Sequence, residues 1–272
     1  MTETSLSDAA LSARFQALSG IAVELGHLAM GYFNDQASLG TTMKGFQDFL
    51  TAADGAVEAL FRKRIAESFP GDTVMGEEMG GANADRLWII DPIDGTANFA
   101  RGDRQWCVSI GFVANGVPEL GIIHAAALGE TYLARRGHGA KMNGKAITVA
   151  PTTDMRRATV EFGWSPRLPY APYLEALARL NAAGANIKRS ASGALGVAHV
   201  AMGRTDAYGE LHINSWDVVA GLVIASEAGA RINDFCSGDW VLKGNPILVC
   251  TPPLWDIMYA ASGIAHAGRP AD

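Results

Sequence analysis

The residues Leu87-Trp88-Ile89-Ile90-Asp91-Pro92-Ile93-Asp94-Gly95-Thr96-Ala97-Asn98-Phe99 constrain this chain more than any other stretch. Leu87 to Ile90 is a short apolar run that reads as a buried strand. It runs straight into a polar turn, Asp91-Pro92-Ile93-Asp94-Gly95-Thr96, in which two carboxylates stand three residues apart. Pro92 fixes one φ and lacks an N–H, while Gly95 permits a backbone geometry that other residues resist. Carboxylates held at a strand end beside free backbone N–H groups suit a hard cation and a phosphate. Asp, Pro and Gly are also ordinary turn formers, so a capped turn without chemistry is the competing reading. The remainder of the chain has to decide between the two.

A chain of 272 residues is long enough for one large domain or two intimate halves. With 49% hydrophobic and 18% charged residues it is globular in composition. A net charge of −6 offers no basic footprint for nucleic acid or an anionic membrane. An anionic substrate would therefore have to be attracted locally, through bound metal or helix ends. Cys107, Cys236 and Cys250 are few, odd in number and far apart, which fits buried thiols in a reducing cytoplasm. Met1 to Asp8 lacks a charged-then-apolar signal pattern and no apolar run reaches membrane-spanning length, so a soluble cytoplasmic protein is expected.

Leu11, Phe15, Leu18, Ala22, Leu25 and Ala29 recur with the period of an amphipathic helix, which Ser7 or Asp8 would cap. After a loop at 40–45, a second helix is expected from Asp54 to Phe69, with Val57, Leu60, Phe61 and Ile65 inward and Asp54 where an N-cap belongs. Thr73 to Met75 is a short strand leading to Gly76-Glu77-Glu78. Strands follow at 106–114, 120–126 and 131–134, with Asn115-Gly116 as a hairpin turn, and a further strand ends near Val149. The texture then changes to strand and helix in alternation: a strand at 158–162, a helix at 172–183 and a short strand near Ile187. Ser190 to Ala194 opens a helix of small residues in which His199 reads as structural, and a strand at 206–210 follows. Asn214 or Ser215 caps a helix carrying Asp217 in its first turn, and two strands and a closing helix complete the chain. The boundary between halves falls near residue 150, giving an N-terminal α+β half (1–150) and a C-terminal α/β half (151–272).

Acidic residues thus stand at separate element ends: Asp54, Glu77, the Asp91/Asp94 pair and Asp217, where functional groups are usually presented. On these motifs the chain resembles the inositol monophosphatase family of magnesium-dependent phosphatases. Lys44, Asp48, Thr51 and Asp54 match one family segment, Gly76-Glu77-Glu78 a second, and Trp88 to Phe99 the main one. Trp216-Asp217, Ala220-Gly221 and Glu227-Ala228-Gly229 match the last. Ala97 departs from the Thr or Lys common in relatives, which leaves less positive charge beside the phosphate site, and the segment from Met79 to Arg86 is short.

The resemblance implies a layered αβαβα sandwich and a phosphoric monoester hydrolase using two or three Mg²⁺. By the same resemblance, Glu77, Asp91 and the Ile93 carbonyl would hold one ion, and Asp91, Asp94 and Asp217 a second. Thr96 with Asp54 would orient and deprotonate the attacking water. Gly95 and Thr96 would offer N–H groups to the phosphate, and Ser192, Gly193 and Glu210 would contact the substrate. It implies lithium sensitivity, a homodimer and a small phosphorylated polyol or sugar as substrate, inositol monophosphate foremost. Histidinol phosphate and fructose 1,6-bisphosphate are alternatives in the same fold, and a regulatory binding protein with little catalysis is an alternative of another class.

Overall fold

The computed structural model describes residues 6–35, 39–45 and 48–264, of which 44, 45, 48 and 49 by backbone alone. Its first half runs α1 (Asp8–Asn34), β1 (Thr42–Gly45), β2 (Asp48–Leu50), α2 (Ala52–Ser68), β3 (Thr73–Gly76), β4 (Arg86–Asp94), α3 (Thr96–Phe99), β5 (Cys107–Ala114), β6 (Val117–Ala125), β7 (Glu130–Arg135), β8 (Ala140–Met142) and β9 (Lys145–Ala146). There follow β10 (Thr159–Phe162), α4 (Tyr170–Ala182), β11 (Asn186–Lys188), α5 (Gly193–Ala201), β12 (Ala207–Ile213), α6 (Ser215–Glu227), β13 (Arg231–Ile232), α7 (Trp240–Lys243), β14 (Asn245–Cys250) and α8 (Trp255–Ser262).

Successive side chains of a strand point to opposite faces, and β4 uses both. Trp88 and Ile90 enter a core shared with Leu18, Leu25, Phe61 and Ile65 of α1 and α2. Leu87 and Ile89 enter another, shared with Val197, Val219, Ala220 and Val223 of α5 and α6. The continuous apolar run of β4 follows from this burial on both faces. A third core lies under α4 and α8, where Tyr173, Leu180 and Met258 meet Val160 and Leu248.

Two mixed sheets result. The larger has the order β3-β4-β5-β6-β7-β8-β9, with β3 parallel to β4 and the other neighbours antiparallel. The smaller has the order β11-β10-β12-β14-β13, with β10 parallel to both β11 and β12. Helices α1 and α2 cover one face of the larger sheet, α5 and α6 lie between the sheets, and α4 and α8 cover the smaller. This is the expected αβαβα layering, an α+β sandwich.

Several boundaries differ from the expectation. Strand β4 does not stop at Ile90; it continues to Asp94 with a register shift against β5 between Asp91 and Asp94. Pro92 cannot donate to a ladder, and it lies beyond the last pairing with β3, Gly76 to Ile90, where no donor is needed. Helix α2 is capped by Thr51, with Asp54 as the N3 member of a capping box. The loop expected at 40–45 contributes β1, which pairs with β2. The strand expected to end near Val149 is two short strands folded at Asn143-Gly144, whose φ values are 48° and 79°. Asn115 (φ 50°) and Gly116 (φ 77°) form the expected hairpin turn.

Candidate active site

The carboxyl end of β4 delivers Asp91 and Asp94, and the first turn of α6 delivers Asp217. One carboxylate oxygen from each lies within 4.8 Å of the others. Local geometry fixes each arm. Asp91 Oδ1 accepts from the N–H of Ile93 at 2.9 Å. Asp217 accepts from the N–H of Asn214 at 3.1 Å, as the N3 acid of a capping box. Asp94 is held by the distant start of α5: Oδ2 accepts from the Ala194 N–H at 2.8 Å and from the Ser192 hydroxyl, and Oδ1 from the Gly193 N–H at 3.2 Å. Ser192 is also the N-cap of α5.

Asp91 and Asp94 are buried, and burial raises the carboxyl pKa values of Asp91, Asp94 and Asp217. For Asp91 the charges of Glu77, Asp94 and Asp217 add to the effect. The Cys107 thiol reaches Asp94 Oδ2 at 3.7 Å, and its own pKa is pushed well up by burial. It stays a thiol and supplies no soft thiolate ligand. Such a set of clustered oxygen donors is poor as an isolated assembly of charges and well suited to a hard cation.

Gly95 turns the chain from β4 into α3 with φ 96°. A Cβ there would stand 2.7 Å from the Gln105 carbonyl, so both the conformation and the space require glycine. The Thr96 hydroxyl, with one proton for two acceptors, sits 2.9 Å from the Ile93 carbonyl and 3.3 Å from Asp54 Oδ1. The other oxygen of Asp54 accepts from the Thr51 N–H at 2.8 Å and the Thr51 hydroxyl at 2.5 Å. Asp54 is fully buried, and desolvation raises its pKa to about 6 in spite of those bonds.

A polar cavity of about 430 Å³ opens beside this centre, lined by Glu77, Asp94, Ser192, Gly193, Glu210 and Asp217 among others. Glu210, on β12, accepts from the Tyr208 hydroxyl at 2.7 Å, and burial lifts its pKa to about 7. Gly163 leaves the room: a Cβ there would stand 2.0 Å from Glu210 Oε2. Thus Asp91, Asp94 and Asp217 come together, Thr96 and Asp54 form an adjoining pair, and Glu77, Ser192, Gly193 and Glu210 line one cavity with the centre. The Lys44 and Asp48 side chains of the matching motif lie outside the described residues.

Three contributors escape sequence reasoning. Glu58, fully buried on α2, accepts from the N–H groups of Glu78 at 2.9 Å and Met79 at 3.1 Å, and so clamps the loop that carries Glu77. The available signal is an acid on the apolar face of α2 with Arg62 four residues on, 2.7 Å away. Arg167 and Arg189 also line the cavity; no local pattern marks them, because two loops distant in sequence bring them there. His199 is buried, with its pKa lowered to about 4 by burial, as a structural histidine would be.

Known proteins agree with this architecture. The model of the inositol monophosphatase family matches residues 11–264. A Xylella fastidiosa protein named Nus factor SuhB is 36% identical over 217 residues, 79% of each chain. The fructose-1,6-bisphosphatase/inositol-1-monophosphatase of Thermotoga maritima is 36% identical over 78% of this chain and 81% of its own. Among solved structures, a Thermotoga maritima IMPase superposes with a TM-score of 0.83 at 30% identity, covering 93% of this chain and 98% of that one. The inositol monophosphatase from Anabaena gives 0.77 at 30% identity over 92% and 95%. A match across nearly the whole chain, joined to the same layered fold, places this protein in the inositol monophosphatase family.

Proposed function

We propose that this protein is a Mg²⁺-dependent phosphomonoesterase acting on a small phosphorylated polyol or sugar, with inositol monophosphate first among the candidates. The observation that carries this reading is the triad of Asp91, Asp94 and Asp217, contributed by both halves of the chain and facing a polar cavity. The donors fit the ion: they are carboxylate oxygens, and Mg²⁺ takes oxygen ligands, whereas zinc prefers nitrogen and sulfur. Glu77, Asp91 and the Ile93 carbonyl would hold one ion, and Asp91, Asp94 and Asp217 a second. Bound there, the ions would supply a hydroxide-like water at neutral pH and stabilise charge on the leaving oxygen.

The protein's own groups do the rest. Thr96 orients the attacking water and Asp54 receives its proton, a role suited to a carboxylate whose pKa is about 6. The N–H groups of Gly95 and Thr96, at the start of α3, hold the phosphate. Ser192, Gly193 and Glu210 receive the hydroxyls of the polyol. The 1–150 and 151–272 halves form one cleft, since neither supplies the complete set of acids. By family expectation the protein is a lithium-sensitive cytoplasmic homodimer; no helix of the described residues is long and apolar enough to cross a membrane.

The test is phosphate release from inositol 1-phosphate, histidinol phosphate and fructose 1,6-bisphosphate, with Mg²⁺ and with a chelator. Mg²⁺-dependent release from at least one supports the reading; no release from any refutes it. A second reading rests on the relatives named Nus factor SuhB, which are 32% to 36% identical to this chain. On that reading the protein is a regulatory binding protein, and absence of turnover in the same assay would favour it.

A further inference from the structure

Asp54 and Glu58 stand one turn apart on α2, with Arg62 one turn further, so the three share a face of one helix. Asp54 meets Thr96, whereas Glu58 and Arg62 meet the segment that carries Glu77. Glu58 offers no surface to the cavity, since it is fully buried. A buried carboxylate needs partners that compensate its lost hydration, and the identity of those partners shows what it does.

Oε1 of Glu58 accepts from Arg62 Nε at 2.9 Å, from Arg62 Nη2 at 2.7 Å and from the Met79 N–H at 3.1 Å. Oε2 accepts from the Glu78 N–H at 2.9 Å. Arg62 also donates to the Val74 carbonyl at 3.2 Å and to the Gly80 carbonyl. The pair thus grips the chain on both sides of Glu77, at Val74 before it and at Glu78, Met79 and Gly80 after it. The turn's own closure is two backbone bonds of 3.0 Å between Gly76 and Gly80. Glycine at position 76 permits the approach, for a Cβ there would stand 2.2 Å from Glu58 Cδ.

Successive backbone N–H groups that point one way make a concave anion site. After Glu77 those groups belong to Glu78 and Met79, and Glu58 fills the site with a carboxylate from α2. They are therefore held away from the Glu77 carboxylate. On its other side Glu77 is tied to β4, where its N–H donates to the Ile90 carbonyl at 3.2 Å, one residue before Asp91. With the backbone fixed from both sides, the direction in which the Glu77 side chain leaves it is fixed too. That direction matters for Mg²⁺, which demands near-ideal octahedral geometry of its ligands.

We infer that Glu58 is a positioning residue of the metal centre: with Arg62 it fixes the aim of Glu77 and thereby sets the affinity for Mg²⁺, without touching the ion. The inference rests on the proposed metal site and adds a control on it that lies outside the ligand set. One face of α2 then places both the base, Asp54, and the ligand, Glu77.

The experiment titrates the metal-free full chain with Mg²⁺ in a calorimeter, without substrate. The proteins are wild type, Glu58→Gln, Glu77→Gln and the double variant Glu58→Gln/Glu77→Gln. Val57→Ala, a core truncation on the same helix, controls for lost stability. Glu58→Gln should weaken Mg²⁺ binding by about 10- to 100-fold, the range for groups that orient a metal ligand. In the Glu77→Gln background the same change should add no more than about twofold, because its effect passes through Glu77. Val57→Ala should stay within about twofold of wild type. Unchanged affinity in folded Glu58→Gln, an equal loss in Val57→Ala, or additive losses in the double variant overturns the inference. Should Glu58→Gln not fold, Arg62→Met takes its place, with the same expected weakening and the same overturning results. No Mg²⁺ bound by wild type overturns the inference together with the metal reading. Mg²⁺ bound without hydrolysis of any ester removes the catalytic reading alone, and the binding comparison still decides the inference.

Discussion

Asp54 caps a helix and, on the proposed reading, also serves the reaction. Its Oδ2 closes the capping box of α2 through Thr51, which leaves Oδ1 for Thr96. Burial raises its pKa to about 6, so it is ionised at neutral pH and loses its charge as pH falls through that value. Activity should therefore decline below about pH 6. Asp54→Asn should lower kcat by roughly 10²–10³, within the range for a lost general base, and abolish that acidic limb. A pH–rate profile checks this; an identical limb in the variant would exclude Asp54 as the base. At this scale much was legible in the sequence, since Asp54, Glu77, Asp91, Asp94 and Asp217 each sit in a short motif. The role of Glu58 and the place of Arg167 and Arg189 in the cavity wall were not, because each depends on groups far away in the chain. Local pattern also placed Asp54 at the N-cap, three positions from its actual cap, because Asp and Thr both suit that position.

Among the elements, α6 matters most to the centre, because it carries Asp217 onto the larger sheet. It approaches that sheet through a cross-strand glycine pair, Gly111 of β5 opposite Gly121 of β6. A Cβ on Gly121 would stand 2.3 Å from the Ala220 carbonyl, and one on Gly111 would stand 2.5 Å from Val219 Cγ1. Gly121→Ala should thus push α6 outward, destabilise the fold by about 1–3 kcal/mol and raise the Mg²⁺ concentration needed for activity. Denaturant unfolding and a Mg²⁺ activation curve measure both effects; unchanged values would show that α6 can shift without moving Asp217. Long elements were legible, α1 and α2 from periodicity and β4, β5 and α6 from their apolar runs. The short ones were not: α7 spans four residues and β9 two, too few to show a period. The β8–β9 hairpin did carry a local signal, Asn143-Gly144, of the same kind as the Asn115-Gly116 turn that was read.

Taken whole, the molecule buries an acidic centre between two sheets, and its metal-free stability should report this. The Asp54, Asp91, Asp94, Glu210 and Asp217 pKa values are all raised by burial, with Asp54 at about 6 and Glu210 at about 7. A group that holds its proton more tightly when folded favours the folded state at lower pH and loses that contribution as pH rises through its folded pKa. Without metal, Tm should therefore rise as pH is lowered from 8.5 to 6.5, a window that stops at the ordinary histidine pKa, below which lowered values such as that of His199 act oppositely in full. Saturating Mg²⁺ should narrow the difference. Scanning calorimetry at the two pH values, with chelator and with Mg²⁺, decides; a metal-free Tm that falls towards pH 6.5 would contradict buried, proton-seeking acids. The layered architecture was legible through family resemblance, whereas the cavity between strand ends β10, β11 and β12 emerged only from their side-by-side order. The central claim is that Asp91 joins two cations in a phosphatase centre, and Mg²⁺-dependent phosphate release by Asp91→Asn beside wild type tests it most directly. The account predicts loss of about a thousandfold or more in turnover, as for removal of an essential catalytic group, with Tm without metal equal to or above wild type. Substantial Mg²⁺-dependent turnover by folded Asp91→Asn protein would contradict it.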